Sequence, residues 1–215
     1  MSDRINQSQL SKLLIEVFRS SKKFFKNLES FNFKTTYKSD NSPLTILDKR
    51  IDSFIKFELN KFRNDFSVIS EESGQKKLDS EYVWIIDSID GTKELISGSD
   101  EFTINIALIQ NKLPIFGGIY QPLKDTIFLG GSDLSPIKIK GTKTLALKNQ
   151  EKELCNIVIS KSHSSDRERE FYRRVLSNFG QSKILKMGSS LKFCSICDGK
   201  ADFYPRFGNI NSWDI

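Results

Sequence analysis

The chain has 215 residues, 38% apolar and 28% charged, with a net charge of +6 and three cysteines. This is enough to bury a sizeable core as one large domain or two small ones, and it excludes an intrinsically disordered chain. The odd cysteine count argues against a disulfide framework and fits a reducing cytoplasm. No apolar run is long enough to span a bilayer. Met1-Ser2-Asp3-Arg4 is not followed by the apolar stretch of a secretory signal. The lysines, as in Lys22-Lys23, Lys76-Lys77 and Lys138 to Lys143, are scattered and form no arginine-rich tract, so a nucleic-acid partner is not expected.

In chain order, Gln9 to Leu28 repeats Leu10, Leu13, Leu14, Val17, Phe18, Phe24 and Phe25 at helical spacing and predicts a long amphipathic helix. Lys38 to Pro43 is turn-rich. A second helix is predicted from Thr45, with Ile51, Phe54, Ile55 and Leu59 inward. Thr45 and Asp48 have the spacing of a capping box with Asp in the acidic place. Ser67 to Ser70 predicts a short strand ending at Glu71. Strands follow at Tyr82 to Ile86, Thr103 to Ile109, Pro114 to Tyr120 and Thr126 to Leu129. Gly131 to Glu153 is polar and loop-like. It divides the chain into an N-terminal α+β half, residues 1–132, and a C-terminal α/β half, residues 133–215. The second half predicts a strand at Asn156 to Ser160, a helix at Asp166 to Phe179 with Phe171, Val175 and Leu176 inward, a strand at Lys183 to Met187, a helix at Ser190 to Asp198 and a last strand at Ala201 to Phe207. Alternating helices and strands imply layered α and β structure.

The segment carrying most chemistry is Trp84-Ile85-Ile86-Asp87-Ser88-Ile89-Asp90-Gly91-Thr92. An apolar strand delivers Asp87 and Asp90 into a Gly-Thr turn, and Glu71-Glu72 sits at the end of the earlier strand. Oxygen-only donors of this kind suit hard cations, Mg²⁺ above all, which is usually completed by substrate phosphate oxygens. Gly91 lets backbone approach a ligand, and the amides after it can meet an anion. Thr92 offers a hydroxyl to orient an attacking water, with Asp48 as its acceptor. Taken singly, these motifs also read as ordinary turns, caps and surface charge. Cys194 and Cys197 fall on one helix face and read as buried structural thiols, since a closed zinc site would also need the one other cysteine and the one histidine of the chain.

These residues resemble the inositol monophosphatase superfamily of Mg²⁺-dependent, lithium-sensitive phosphatases. Trp84 to Thr92 is similar to its signature, Ile69-Ser70-Glu71-Glu72-Ser73 to its upstream acidic motif, and Ser212-Trp213-Asp214 to its second signature. Lys38 to Asp48, Lys93-Glu94-Leu95, Glu101 to Ile109, Gly188 to Cys194 and Tyr204 to Gly208 resemble the bacterial bisphosphate nucleotidase branch. The resemblance implies an alternating α-β-α-β-α sandwich. It also implies release of the 3′-phosphate from adenosine 3′,5′-bisphosphate, a by-product of sulfate assimilation, to give AMP. Carried over by position, it implies two or three Mg²⁺ ions held by Glu71, Asp87, Asp90, Asp214 and the Ile89 carbonyl, with Asp48, Thr92 and Glu71 as catalytic residues. Gly91, Thr92 and Lys93 would hold the scissile phosphate, and His163, Ser190, Lys192 and Arg206 the rest of the nucleotide. It further implies a cytoplasmic monomer or homodimer, with peripheral association at the inner face of the cell membrane allowed. An inositol or sugar phosphate phosphatase, and a non-catalytic nucleotide- or anion-binding protein, are the alternatives. Two departures stand out. Ser88 replaces the family's proline, and the sequence stops one residue past Asp214, where the family continues with a helix and strands, so the C-terminal part is expected to be incomplete.

Overall fold

The computed structural model describes residues 5–26, 28, 35–37, 43–74, 80–147, 155–161, 165–178, 182–208 and 210–213. The first helix, α1, spans Gln7–Ser21 and continues as a 3₁₀ turn, Lys22–Phe25. Its start is fixed twice. Asn6 Oδ1 accepts the Ser8 amide at 2.9 Å, and buried Gln7 donates to the Ile115 carbonyl at 3.1 Å and accepts the Asp133 amide at 3.1 Å. Strands β1, Thr35–Tyr37, and β2, Pro43–Thr45, form an antiparallel pair that leads into helix α2, Ile46–Phe62.

A seven-stranded sheet follows, in the order β3 to β9. Its members are β3, Ser67–Ser70; β4, Tyr82–Asp90; β5, Thr103–Gln110; β6, Leu113–Gln121; β7, Thr126–Gly131; β8, Leu134–Lys140; and β9, Lys143–Ala146. A short helix, α3, Thr92–Ile96, interrupts the run after β4. Only β3 and β4 pair in parallel; the others are antiparallel. One face of the sheet is covered by α1 and α2. Leu10, Leu14, Val17 and Phe18 from α1 and Leu47, Ile51, Ile55 and Leu59 from α2 share a single core with Trp84, Ile86, Ile104, Ile106, Leu108, Tyr120 and Leu129. Phe18 stacks on Tyr120 with ring centroids 5.5 Å apart. Gly118 leaves the room for this contact, because a Cβ there would lie 2.8 Å from the Phe18 ring.

Beyond the sheet lies a parallel βαβ unit made of β10, Ile157–Ser160, helix α4, Asp166–Asn178, and β11, Ile184–Met187, followed by helix α5, Leu191–Cys197. Its own small core joins Ile157, Ile159 and Tyr172 to Phe171, Val175 and Phe203.

Three expectations are corrected. The stretch 131–153, expected to be a loop, carries β8 and β9 and extends the main sheet as far as Ala146; its Pro136 and exposed lysines are what a sheet edge tolerates. No strand forms at Ala201 to Phe207. Phe203 alone bridges Ile157, its carbonyl accepting the Val158 amide at 3.1 Å, and Pro205 has no amide with which to continue a ladder. Cys194 is buried, and burial pushes its thiol up, but Cys197 is exposed. Among the described residues, no helix is long and apolar enough to cross a membrane.

The two parts are tied by Asp198, just past α5, which pairs with Lys138 of β8 at 2.5 Å and with Lys200 at 3.0 Å. Burial pushes the Asp198 carboxyl up, but the bonds from Lys138 and Lys200 together outweigh it and hold the group below its ordinary value. A depressed carboxylate contributes stability that is present above its unfolded pKa and lost as the pH falls through its folded one. Lys138→Met should therefore lower stability by about 1–3 kcal/mol at neutral pH. It should also flatten the acid limb of the stability profile below about pH 4, read by urea denaturation at a series of pH values.

Candidate active site

The site is assembled where α2 begins. Thr45 caps that helix, its hydroxyl accepting the Leu47 and Asp48 amides at 3.2 and 3.4 Å. The Asp48 carboxylate returns the bond: Oδ2 accepts the Thr45 amide at 2.8 Å and the Thr45 hydroxyl at 2.5 Å. The cap uses only one carboxylate oxygen. The other, Oδ1, accepts the Thr92 hydroxyl at 3.1 Å, and that hydroxyl also lies 3.2 Å from the Ile89 carbonyl. Asp48 is 2% exposed, so this bond is shielded from competition by water.

The acidic residues arrive on β3 and β4. The parallel register sets Ser70 beside Ile86, so Glu71 leaves β3 alongside Asp87. Across β5, Asp87 faces Asn105 and Asp90 faces Thr103, so one extra residue is taken up on β4 between them. Such a bulge bends a strand and re-aims its side chains. Here it breaks the alternation, and Asp87, Ser88 and Ile89 are buried in succession. Asp87 Oδ1 accepts the Ile89 amide at 3.1 Å. Ser88 adds a buried hydroxyl that has no hydrogen-bond partner among the described residues.

The turn ends at Gly91, whose φ of +95° lies in the left-handed region. A Cβ there would sit 3.0 Å from the Glu101 carbonyl and 3.2 Å from Ser189 Cβ, so glycine is required both by conformation and by crowding. Lys93 follows, exposed, on α3.

Glu71, Asp87 and Asp90 with the Ile89 carbonyl are oxygen-only donors of the kind that could hold a hard divalent cation. Among the described residues, no three His, Cys, Asp or Glu side chains already stand grouped as a metal site. The fit therefore rests on donor chemistry and on the register that brings β3 and β4 together. Asp214 and His163 lie outside the described residues.

The residues expected to meet the nucleotide are otherwise engaged. The Ser190 hydroxyl bonds to Thr103 Oγ1 at 2.7 Å and to Asn105 Oδ1 at 2.8 Å, the residues opposite Asp90 and Asp87. Lys192 is 8% exposed; its ammonium donates to the Ser189 carbonyl and lies 5.3 Å from the Tyr204 ring centroid. Arg206 pairs at 3.5 Å with Glu168, a carboxylate 2% exposed. Burial first, then the Glu168 charge, push the Tyr172 hydroxyl up to about 12. Sequence reasoning gave no role to Thr103, Asn105, Glu101 or Glu168. An Asn within an otherwise apolar, β-branched run is the one signal that could have found Asn105, which is half-buried on β5.

A layered fold with oxygen donors at a strand end beside a Thr–Asp pair belongs to a class of phosphatases. Residues 6–215 match the inositol monophosphatase family, and the chain belongs to it. It is 36% identical over 183 residues to the 3′(2′),5′-bisphosphate nucleotidase CysQ of Buchnera aphidicola, covering 83% of this chain and 67% of the relative. The crystal structure of CysQ from Bacteroides thetaiotaomicron superposes with a TM-score of 0.82 at 29% identity, over 97% of this chain and 84% of the other. An inositol monophosphatase from Thermotoga maritima shares the fold, with a TM-score of 0.80 at 21% identity over 96% of this chain and 79% of its own.

Gly91→Ala should cost about 1–3 kcal/mol, since it forces a side chain into a left-handed turn and against a backbone oxygen. Thermal denaturation measures the cost, and a stability equal to that of the parent would contradict this geometry.

Proposed function

We propose that this protein is a metal-dependent phosphomonoesterase that removes the 3′-phosphate of adenosine 3′,5′-bisphosphate, giving AMP and inorganic phosphate. The observation that carries the reading is the hydrogen bond from Thr92 to Asp48, set beside the Ile89 carbonyl and the buried Asp87. The likeness to relatives named 3′(2′),5′-bisphosphate nucleotidase supports the choice of substrate.

In this reading Glu71, Asp87, Asp90 and Asp214, with the Ile89 carbonyl, hold two or three Mg²⁺ ions. Bound there, the ions would supply positive charge against the phosphoryl oxygens. The chain's own part is positional. The Thr92 hydroxyl hydrogen is committed to Asp48 Oδ1 or to the Ile89 carbonyl, so an oxygen lone pair is left to accept a hydrogen bond from the attacking water. The water's own lone pair is then turned toward phosphorus. Because Asp48 Oδ2 is already taken by Thr45, the carboxylate cannot swing away, and the orientation is set before substrate arrives. Gly91 and Lys93 flank the phosphate, and Arg206 faces the second one.

A second reading, an inositol or sugar monophosphate phosphatase, is favoured by the existing commitment of Arg206 to Glu168 and of Lys192 to the Ser189 carbonyl. Turnover of the two substrates side by side separates them: faster phosphate release from inositol 1-phosphate than from adenosine 3′,5′-bisphosphate rejects the first reading. Asp90→Asn should lower turnover about 10³-fold by removing a carboxylate that would hold the cations against the phosphoryl oxygens. Its melting temperature should stay near that of the parent, because Asp90 is the last residue of β4, is only partly buried, and Asn keeps its size. Full activity of this variant at saturating Mg²⁺ would contradict the ligand assignment.

A further inference from the structure

Glu101 lies just before β5, and three separate segments converge on it. Its carboxylate Oε2 accepts the Gly188 amide at 2.9 Å and pairs with Lys161 Nζ at 3.4 Å. Gly188 begins the turn between β11 and α5, and Lys161 directly follows β10, so one carboxylate grips the C-terminal ends of both strands of the βαβ unit. The backbone of Glu101 is equally placed. Its carbonyl oxygen would lie 3.0 Å from a Cβ at Gly91 and 3.0 Å from a Cβ at Gly188. The glycine of the acidic turn and the glycine of the C-terminal turn thus pack against the same oxygen.

The contacts just beyond lead the same way. Ser189 adopts a φ of +48°, and its Cβ would be 3.2 Å from a Cβ at Gly91. Ser190 bonds to Thr103 and Asn105, and Lys192 closes the turn on the Ser189 carbonyl. The Glu101 side chain is 25% exposed, so its charge-assisted bond to the Gly188 amide is only partly screened.

We propose that Glu101 is a positioning residue for the reaction: by clamping the 188–190 turn against the Gly91 turn, it sets the spacing between the acidic centre and the groups that receive the rest of the substrate. This rests on the phosphatase reading above. A clamp of this kind matters for a substrate that spans both parts and not for one that occupies the acidic centre alone.

The test is steady-state phosphate release by the full chain with Mg²⁺, using adenosine 3′,5′-bisphosphate and p-nitrophenyl phosphate. Glu101→Ala should raise KM for the bisphosphate about tenfold with kcat nearly unchanged, and should leave the small ester within about twofold of the parent. Glu101→Gln keeps an acceptor for the Gly188 amide and should restore most of the affinity. Gly188→Ala, whose Cβ would meet Glu94 Cγ at 2.9 Å, opens the seam from its other side and should reproduce the split should Glu101→Ala fail to fold. Equal losses on both esters, or no change on either, overturn the positioning role while leaving the phosphatase reading in place. A parent that hydrolyses neither ester overturns the phosphatase reading and this inference with it.

Discussion

The Asp48 carboxylate has two oxygens and two tasks. One oxygen completes the cap of α2, and the other accepts the Thr92 hydroxyl. A helix start and a turn at the end of a strand are thereby fixed to each other through one buried group. The helix contributes Leu47, Ile51, Ile55 and Leu59 to the main core, so Asp48 is held by the packing of the whole layer. The Thr92–Asp48 pair inherits its rigidity from helix capping, and under the proposed function the cost of ordering Thr92 is met during folding instead of at the moment of reaction.

The acidic turn depends on a second constraint, the bulge in β4. Without the extra residue, Asp87 and Asp90 would keep the strict alternation of a strand, with Asp87 opposite Asn105 and Asp90 displaced from Thr103. The bulge lets both aspartates and the Ile89 carbonyl leave the sheet at one end, and Gly91 then turns the chain sharply enough for Thr92 to reach back to Asp48. The same two facing residues, Thr103 and Asn105, hold the Ser190 hydroxyl. The C-terminal unit is thus docked on the strand that backs the aspartates, so the acidic centre and the expected nucleotide side share one polar seam.

Much of this was legible in the sequence. The Thr45–Asp48 spacing gave the start of α2, and the chemistry of Asp48 and Thr92 gave the bond between them, because each rests on residue types whose partners lie at short spacing or in a recognisable motif. Other features were not readable. Strands β8 and β9 lack a continuous apolar face, since they extend toward a sheet edge. The extended segment at Ala201 to Phe207 has a strand's composition, but Pro205 stops its ladder. The engagements of Ser190, Lys192 and Arg206 arise from contacts distant in sequence, such as Glu168 with Arg206, which leave no periodic trace. Glu101 stands in a recognisable motif, yet its function in the fold emerges only when Gly91, Lys161 and Gly188 are brought around it.

The central claim is that Thr92 and Asp48 act as one unit to orient the attacking water. A double-mutant cycle on phosphate release from adenosine 3′,5′-bisphosphate tests it, using Thr92→Ala, Asp48→Asn and the double variant under conditions where all are folded. The account predicts strong non-additivity, with the double variant within about threefold of the more damaged single variant. Losses that multiply would mean that the two residues act independently, and would contradict it.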